Sequence, residues 1–109
     1  MALEVRHLAL EMIAALRPLV PRIRQHDRDL ATQLVRAASS IALNIGEAEL
    51  SDAGNRRARF HTAAGSAGET RIALEVAAAW GYVSAGHAEL AQKLLDRIIA
   101  ILWRPTRAP

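Results

Sequence analysis

The first spacing in the sequence that could do chemistry is Glu4-x-x-His7, which places a carboxylate and an imidazole one helical turn apart. Carboxylate-bridged metal sites in helical bundles use this spacing, but they need two such motifs and two further glutamates. Only one such motif is present. The other histidines have no histidine or cysteine partner at metal-ligand spacing. We therefore expect solvent-exposed histidines and neither a metal nor a cofactor: His7, His26, His61 and His87.

Motifs for nucleophiles and phosphate are also incomplete. Ser39, Ser40 and Ser66 lack the G-x-S-x-G turn and the strand that expose a hydrolase serine. The run from Gly65 to Gly68 has the glycines of a phosphate loop, but no Lys-Ser/Thr follows it and no strand precedes it. We interpret these small residues as a place where another helix approaches closely. The sequence predicts no catalytic residue and no enzyme activity, with a Ser–His–Asp site built only by the fold as the open alternative.

Arginine is the main basic residue, with 13 copies against one lysine, and the formal net charge is +3. Two clusters flank predicted helix ends, and we expect them to lie near each other at one end of the molecule. Nucleic-acid contact through phosphates is one interpretation, and solvated helix termini are the other. Phe60 is the only aromatic residue close to a cluster, so base stacking is not indicated. The tentative nucleic-acid contacts are Arg22, Arg24, Arg28, Arg56, Arg57 and Arg59.

The elements that must position these residues are helices. The chain has 109 residues, enough for one domain spanning 1–109, and it contains no cysteine. Alanine, the best helix former, occurs 23 times, and runs of β-branched residues are missing. No apolar span of 18 residues and no apolar core of a signal peptide occur, so we expect a cytoplasmic protein without a membrane segment.

Apolar residues recur with a period of 3.6 residues in four segments, at about 3–24, 28–49, 54–80 and 84–103. Asp27 and Ser84 are expected as helix N-caps and Gly81 as the residue just past a helix end. Pro18 and Pro21 interrupt the first segment, so that the helix either stops near Arg17 or kinks and continues; we favour the kink because the apolar period continues through Leu19 and Ile23. The sequence thus predicts an all-α fold, an antiparallel up-down four-helix bundle.

The third predicted helix has two apolar faces. One carries Ile72, Val76 and Trp80, and the other carries Phe60 and Leu74. Glu69 falls in the middle of the first face, so we expect it to be largely buried with a polar partner. The partner candidates are Arg36, Ser40, Asn44 and Ser66.

Self-association is the expected use of the surplus apolar surface. The fourth predicted helix is apolar over about 180° of arc, more than the stripe of about 100° that a small bundle buries. One core can use only one face of the third helix, and identical copies would bury the remainder. The candidate interface residues are Phe60, Leu74, Leu95, Ile99, Leu102 and Trp103.

Two motifs resemble a known family. The matching residues are Arg36, Ala37, Ser40, Ile41, Asn44, Ile45 and Glu47 in one helix and Phe60, Ala64, Gly65, Ser66 and Glu69 in the next. They resemble bacterial four-helix-bundle proteins encoded by intervening sequences of large-subunit ribosomal RNA genes. Gly46-Glu47-Ala48 departs from the Ala-Glu-Gly usual there, which affects where the second helix stops.

The resemblance implies a ring of identical bundles, a homopentamer, with no catalytic activity. It also implies a fold related to the accessory protein of diversity-generating retroelements, which engages nucleic acid and a reverse transcriptase. The expected role is that of a non-enzymatic scaffold or interaction protein whose partner is itself, with nucleic-acid binding as the alternative and no small-molecule ligand. The shared polar residues are expected to hold two helices in register: Arg36, Ser40, Asn44, Glu47, Ser66 and Glu69.

Overall fold

Five helices make up the part of the chain that the computed structural model describes, which comprises the backbone of residues 2–107 and the side chains of residues 4–103. They are α1 (Ala2–Leu16), α2 (Val20–His26), α3 (Arg28–Glu49), α4 (Ala53–Ala79) and α5 (Ala85–Arg107). No strand occurs in residues 2–107, so the predicted all-α class is confirmed. The prediction of four helices is wrong in number, because the first predicted helix is divided in two.

Pro18 lies in the turn that divides the first predicted helix. The amide of Leu19 donates to the carbonyl of Leu16 at 2.9 Å, which closes a tight turn over residues 17–19. Pro21 then lies in the first turn of α2, where a missing N–H costs nothing. Leu16, Leu19 and Ile23 are all buried, so the apolar residues on both sides of the break face the core, as their spacing predicts. The favoured alternative, a kinked helix that continues to residue 24, is wrong; the helix ends at Leu16 instead, because two prolines in four residues remove the donors that a continuing helix needs.

The helix starts follow from capping side chains. Asp27 Oδ1 accepts the amide of Leu30 at 2.9 Å and begins α3. Ser84 Oγ does the same for α5, and Asp52 Oδ1 does it for α4. The two predicted N-caps, Asp27 and Ser84, are confirmed.

The end of α4 is fixed by Gly81, whose φ is +80°. Its amide donates to the carbonyl of Ala78 at 3.0 Å, and the amide of Tyr82 donates to Ala77 at 2.9 Å. This pair of bonds closes a helix with a left-handed residue just past its end, a conformation in which a side chain is strained. The predicted position of Gly81 is confirmed.

The helices pack side by side around one core, and the molecule measures 42 Å along its longest axis and 21 Å along each of the other two. α4 lies between α3 and α5, α1 contacts α3 and α5, and α2 packs on α3. The largest fully buried side chains come from α1, α2, α3, α4 and α5 together: Met12, Ile23, Leu34, Ile41, Ile45, Leu74, Leu95, Ile98 and Leu102.

α4 turns the opposite face inward from the one that the sequence analysis favoured. Its buried residues are Phe60, Ala63, Ser66, Ala67, Thr70, Ala73, Leu74 and Ala77. Ile72, Val76 and Trp80 are 59%, 38% and 69% exposed. Small side chains on the inner face let α4 sit close to α3 and α5, and Thr70 is accommodated because its hydroxyl donates to the carbonyl of Ser66 at 2.8 Å.

Four of the six predicted interface residues are therefore misplaced. Phe60, Leu74, Leu95 and Leu102 lie in the core of the single chain, where no second copy can reach them. Leu95 and Leu102 are not available to an interface because most of the wide apolar face of α5 is buried in the core of its own chain. Ile99 is half-buried against that core, and Trp103 is 49% exposed.

Candidate functional site

A polar seam joins α3 to α4 near the middle of both helices. Ser40 Oγ and Ser66 Oγ are 2.8 Å apart and share a hydrogen bond. Asn44 Nδ2 donates to Ser40 Oγ at 3.0 Å and to the carbonyl of Ser40 at 2.9 Å. Two short side chains can meet across an interface only where the helix backbones approach closely, so this contact fixes the register of α3 on α4.

Arg59 extends the seam toward the start of α4. Its Nη1 donates to Asn44 Oδ1 at 3.4 Å, and its Nη2 lies 3.0 Å from Glu47 Oε2. Both partners of the ion pair are about half exposed, so the pair itself contributes at most about 1 kcal/mol to stability. Arg59 was expected to contact nucleic acid, and its bonds to Asn44 and Glu47 could not be predicted from the sequence because they require α3 and α4 to be antiparallel and in register.

Next to the seam, an open groove of about 340 Å³ runs between α3 and α4. The two serines stand on its floor, and the residues that line it are Gln33, Arg36, Ala37, Ser40, Ser66, Glu69 and Ala73. Four of the six polar residues expected to form one structural motif therefore meet here: Arg36, Ser40, Ser66 and Glu69.

Arg36 and Glu69 stand on opposite sides of this groove, one on α3 and the other on α4. Both side chains are exposed, and neither has an ion pair or hydrogen bond among the side chains of residues 4–103. The prediction that Glu69 is buried and paired is wrong. The reason is the inverted facing of α4, which leaves Glu69 on the solvent side of the helix.

The glycines beside Ser66 also lack the predicted role. A Cβ atom built at Gly65 or at Gly68 would meet nothing within 4 Å. The predicted close helix contact is therefore absent at these two glycines, but the other two small residues of the run make it: Ser66 meets Ser40 of α3, and Ala67 is fully buried. Gly46 on α3 is equally open, and α3 continues past it to Glu49.

The two arginine clusters lie at opposite ends of the molecule, not together. α3 separates them, and its 22 residues are about 33 Å long. Arg56 Nε donates to the carbonyl of Ala48 at the far end of α3, whereas Arg22 contacts Nδ1 of His87 at the start of α5. The prediction of one shared end is wrong because successive antiparallel helices begin at opposite ends.

An aromatic stack lies at the end that holds α2. The rings of His26 and Tyr82 are 4.9 Å apart between centroids and inclined by 2°, and Trp80 and Tyr82 are 6.4 Å apart and inclined by 14°. We call this region, with Arg22, Arg24 and Arg28, the arginine–aromatic end. This grouping was not predicted, because its residues come from three separate parts of the chain: α2, α3 and the loop after α4. The tight turn at Gly81 was the only feature of the sequence that indicated a defined structure there.

The four histidines are all exposed, as predicted. Within the described side chains no three histidine, aspartate or glutamate residues come together where they could hold a metal ion. In the same part of the chain, no helix combines the length and the hydropathy needed to cross a membrane.

Comparisons with known proteins agree with the two sequence motifs. Residues 2–104 match the model of the family described as 23S rRNA-intervening sequence protein. A crystal structure from Bacteroides thetaiotaomicron, described as a protein with unknown function from the S23 ribosomal protein family, superposes with a TM-score of 0.86. It shares 21% sequence identity and covers 95% of this chain and 99% of its own. Comparison with curated protein sequences gives no match. The resemblance is confirmed, and the chain belongs to the 23S rRNA-intervening sequence protein family.

Proposed function

We propose that this protein is a non-enzymatic scaffold whose copies join head to tail into a closed ring. The observation that carries the proposal is a pair of apolar stripes on the outer faces of α3 and α4. Neither stripe is used by the core of the single chain, and each is long enough to seat a neighbouring helix.

The α4 stripe consists of Ile72 and Val76, which are 59% and 38% exposed; Trp80, which is 69% exposed, lies one turn further on, just past the end of α4 and outside the stripe. Their spacing of four residues places them on one side of the helix. Gly65 lies seven residues before Ile72, on the same side, and leaves an open surface there. Large apolar side chains grouped in this way mark an interaction surface more often than an ordinary monomer surface.

The α3 stripe consists of Val35, Leu43 and Leu50, which are 40%, 67% and 90% exposed. It also holds Gly46, whose open space leaves room for a partner side chain. Two different stripes on one chain favour a head-to-tail contact, in which the α3 stripe of one copy meets the α4 stripe of the next. Such a contact gives a ring when the rotation closes.

The proposed scaffold is an up-down bundle, in which α1 and α2 together form one interrupted arm and the four arms alternate in direction. A ring of five copies is the stoichiometry that the family resemblance implies. The non-enzymatic role rests on the same family resemblance, which implies no catalytic activity.

Light scattering of sizing-column fractions tests the interface. The double variant Ile72→Glu/Val76→Glu places two carboxylates in the proposed contact and is expected to reduce the mass to that of one chain. Leu10→Glu is the matched control, because Leu10 is a 54% exposed leucine on α1, outside both stripes. The control should keep the mass of the unaltered protein. Equal masses for the double variant and the unaltered protein would reject the α4 stripe as the interface.

Nucleic-acid binding is the second candidate function, and the arginine–aromatic end favours it. Arg24 and Arg28 are exposed there and have no ion pair or hydrogen bond among the side chains of residues 4–103. At the opposite end, by contrast, Arg59 is held by Glu47 and Arg56 by a backbone carbonyl. Two arginines without such partners, Arg24 and Arg28, therefore lie at the end that holds the aromatic rings, whereas Arg57 is the one member of the opposite cluster without a partner among the described side chains.

A further inference from the structure

We propose that the arginine–aromatic end binds single-stranded nucleic acid, with a base stacked on Trp80 and phosphates held by Arg24 and Arg28. The inference rests on the second candidate function and specifies its ligand. Single-strand sites combine a cationic path for the backbone with aromatic faces for the bases. At this end Arg24 and Arg28 line one pocket together with His26, and His26 stacks on Tyr82, the neighbour of Trp80 in the ring stack.

Trp80 is the stacking platform because it is the open end of the ring stack. Its side chain is 69% exposed, whereas Tyr82 behind it is half-buried. Tyr82 lies in turn against His26, with the two rings nearly parallel. The stack therefore supports the indole from one side and leaves it open to solvent, and it is anchored by the tight turn at Gly81.

The charges at this end favour a stacking ligand over one held by charge alone. Asp27 and Asp29 lie in the same segment as Arg24 and Arg28 and reduce the positive potential. Asp27 is committed to capping α3, but its carboxylate remains a negative charge. Phosphates alone would bind weakly here, so the aromatic face must supply a large part of the affinity.

A duplex does not fit this arrangement, because its bases are paired and stacked on one another and their faces are closed to a protein ring. Unpaired bases expose a face to Trp80 whatever their sequence. We therefore expect a preference for single strands without a strong sequence preference.

The test is fluorescence anisotropy with a labelled oligothymidylate of about 12 nucleotides, a length within the range of known single-strand sites. A duplex of the same length is the comparison ligand. The oligothymidylate should bind more tightly than the duplex, and the logarithm of its affinity should fall with the logarithm of salt concentration with a slope of about −1 to −2 for two phosphate contacts.

Trp80→Ala should weaken single-strand binding about tenfold, and Trp80→Phe should restore most of it. Trp103→Ala is the matched control, since Trp103 is a 49% exposed tryptophan near the other end of α5. Arg24→Ala should flatten the salt slope, whereas Arg57→Ala at the far end should not. Circular dichroism of each variant confirms that it is folded.

The outcomes separate the two proposals. Binding of both ligands with equal affinity, unchanged by Trp80→Ala, overturns the stacking inference and leaves backbone binding as the second candidate function. Absence of binding to either ligand overturns both. Loss of binding in Trp80→Ala together with a change in the light-scattering mass would assign Trp80 to the contact between copies and reject it as a base platform.

Discussion

Ser40 of α3 and Ser66 of α4 touch through their hydroxyl groups, with 2.8 Å between the two Oγ atoms. Ser66 is only 6% exposed, so water replaces this bond poorly when one partner is lost. Asn44 donates to the same Ser40 hydroxyl. The pair therefore joins two helices through a hydrogen bond, and loss of either hydroxyl leaves a buried or half-buried polar group without its partner, which destabilises the fold.

Removal of one hydroxyl tests this contact. Ser66→Ala is expected to lower the free energy of unfolding by about 1 kcal/mol, because Ser40 loses its partner across the seam. Ser39→Ala is the control, since Ser39 lies next to Ser40 on α3, is half-buried and has no side-chain hydrogen bond among the described residues. Urea unfolding measures both. The double variant Ser40→Ala/Ser66→Ala should cost less than the two single changes together; strict additivity would contradict the proposed coupling.

Removal of the Glu69 carboxylate, in contrast to removal of the Ser66 hydroxyl, should have little effect on stability. Because its carboxylate is exposed and unpaired among the described side chains, Glu69→Ala should change the free energy of unfolding by no more than about 0.5 kcal/mol. Leu74→Ala, one of the fully buried positions of the same helix, should cost about 2–5 kcal/mol. A loss of several kcal/mol for Glu69→Ala would mean that the carboxylate is buried after all.

The local features of this fold could be predicted from sequence because they depend on a few neighbouring residues. Asp27 and Ser84 cap helices through bonds to amides three residues on, and Gly81 ends α4 through its own backbone conformation. The family motifs likewise placed Ser40 and Ser66 in one structural unit before their contact was known.

Other features could not be predicted from the sequence because they depend on how the helices pack against one another. Both faces of α4 satisfy the helical period, and the one with Ile72 and Trp80 lies outside, whereas the face that carries most of the alanines packs in the core. The meeting of His26 with Tyr82 joins residues 56 positions apart in the sequence. No local pattern indicates such a contact.

Replacement of a glycine by alanine should have opposite effects on stability at two positions: Gly65, within α4, and Gly81, just past the end of α4. Gly81→Ala should lower the free energy of unfolding by about 1 kcal/mol or more, because φ at this position is +80°. Gly65→Ala should raise it by up to about 1 kcal/mol, since the position is helical and open, and alanine favours the helix.

Thermal unfolding at one fixed protein concentration compares these two variants, because assembly makes the melting temperature depend on concentration. A stabilising Gly81→Ala would contradict the assigned helix end. A destabilising Gly65→Ala in a protein that remains assembled would show that a neighbouring copy occupies the space beside Gly65.

The most direct test of the central claim is the mass of the unaltered protein in solution, measured by light scattering on a sizing column at micromolar concentration. The proposed ring predicts a single species whose mass is a multiple of the 11.8 kDa chain, and the family resemblance sets that multiple at five. A dimer or tetramer would reject five copies but keep assembly through the exposed stripes. A mass near 11.8 kDa at every concentration tested would contradict the account, because the apolar stripes of α3 and α4 would then stay uncovered.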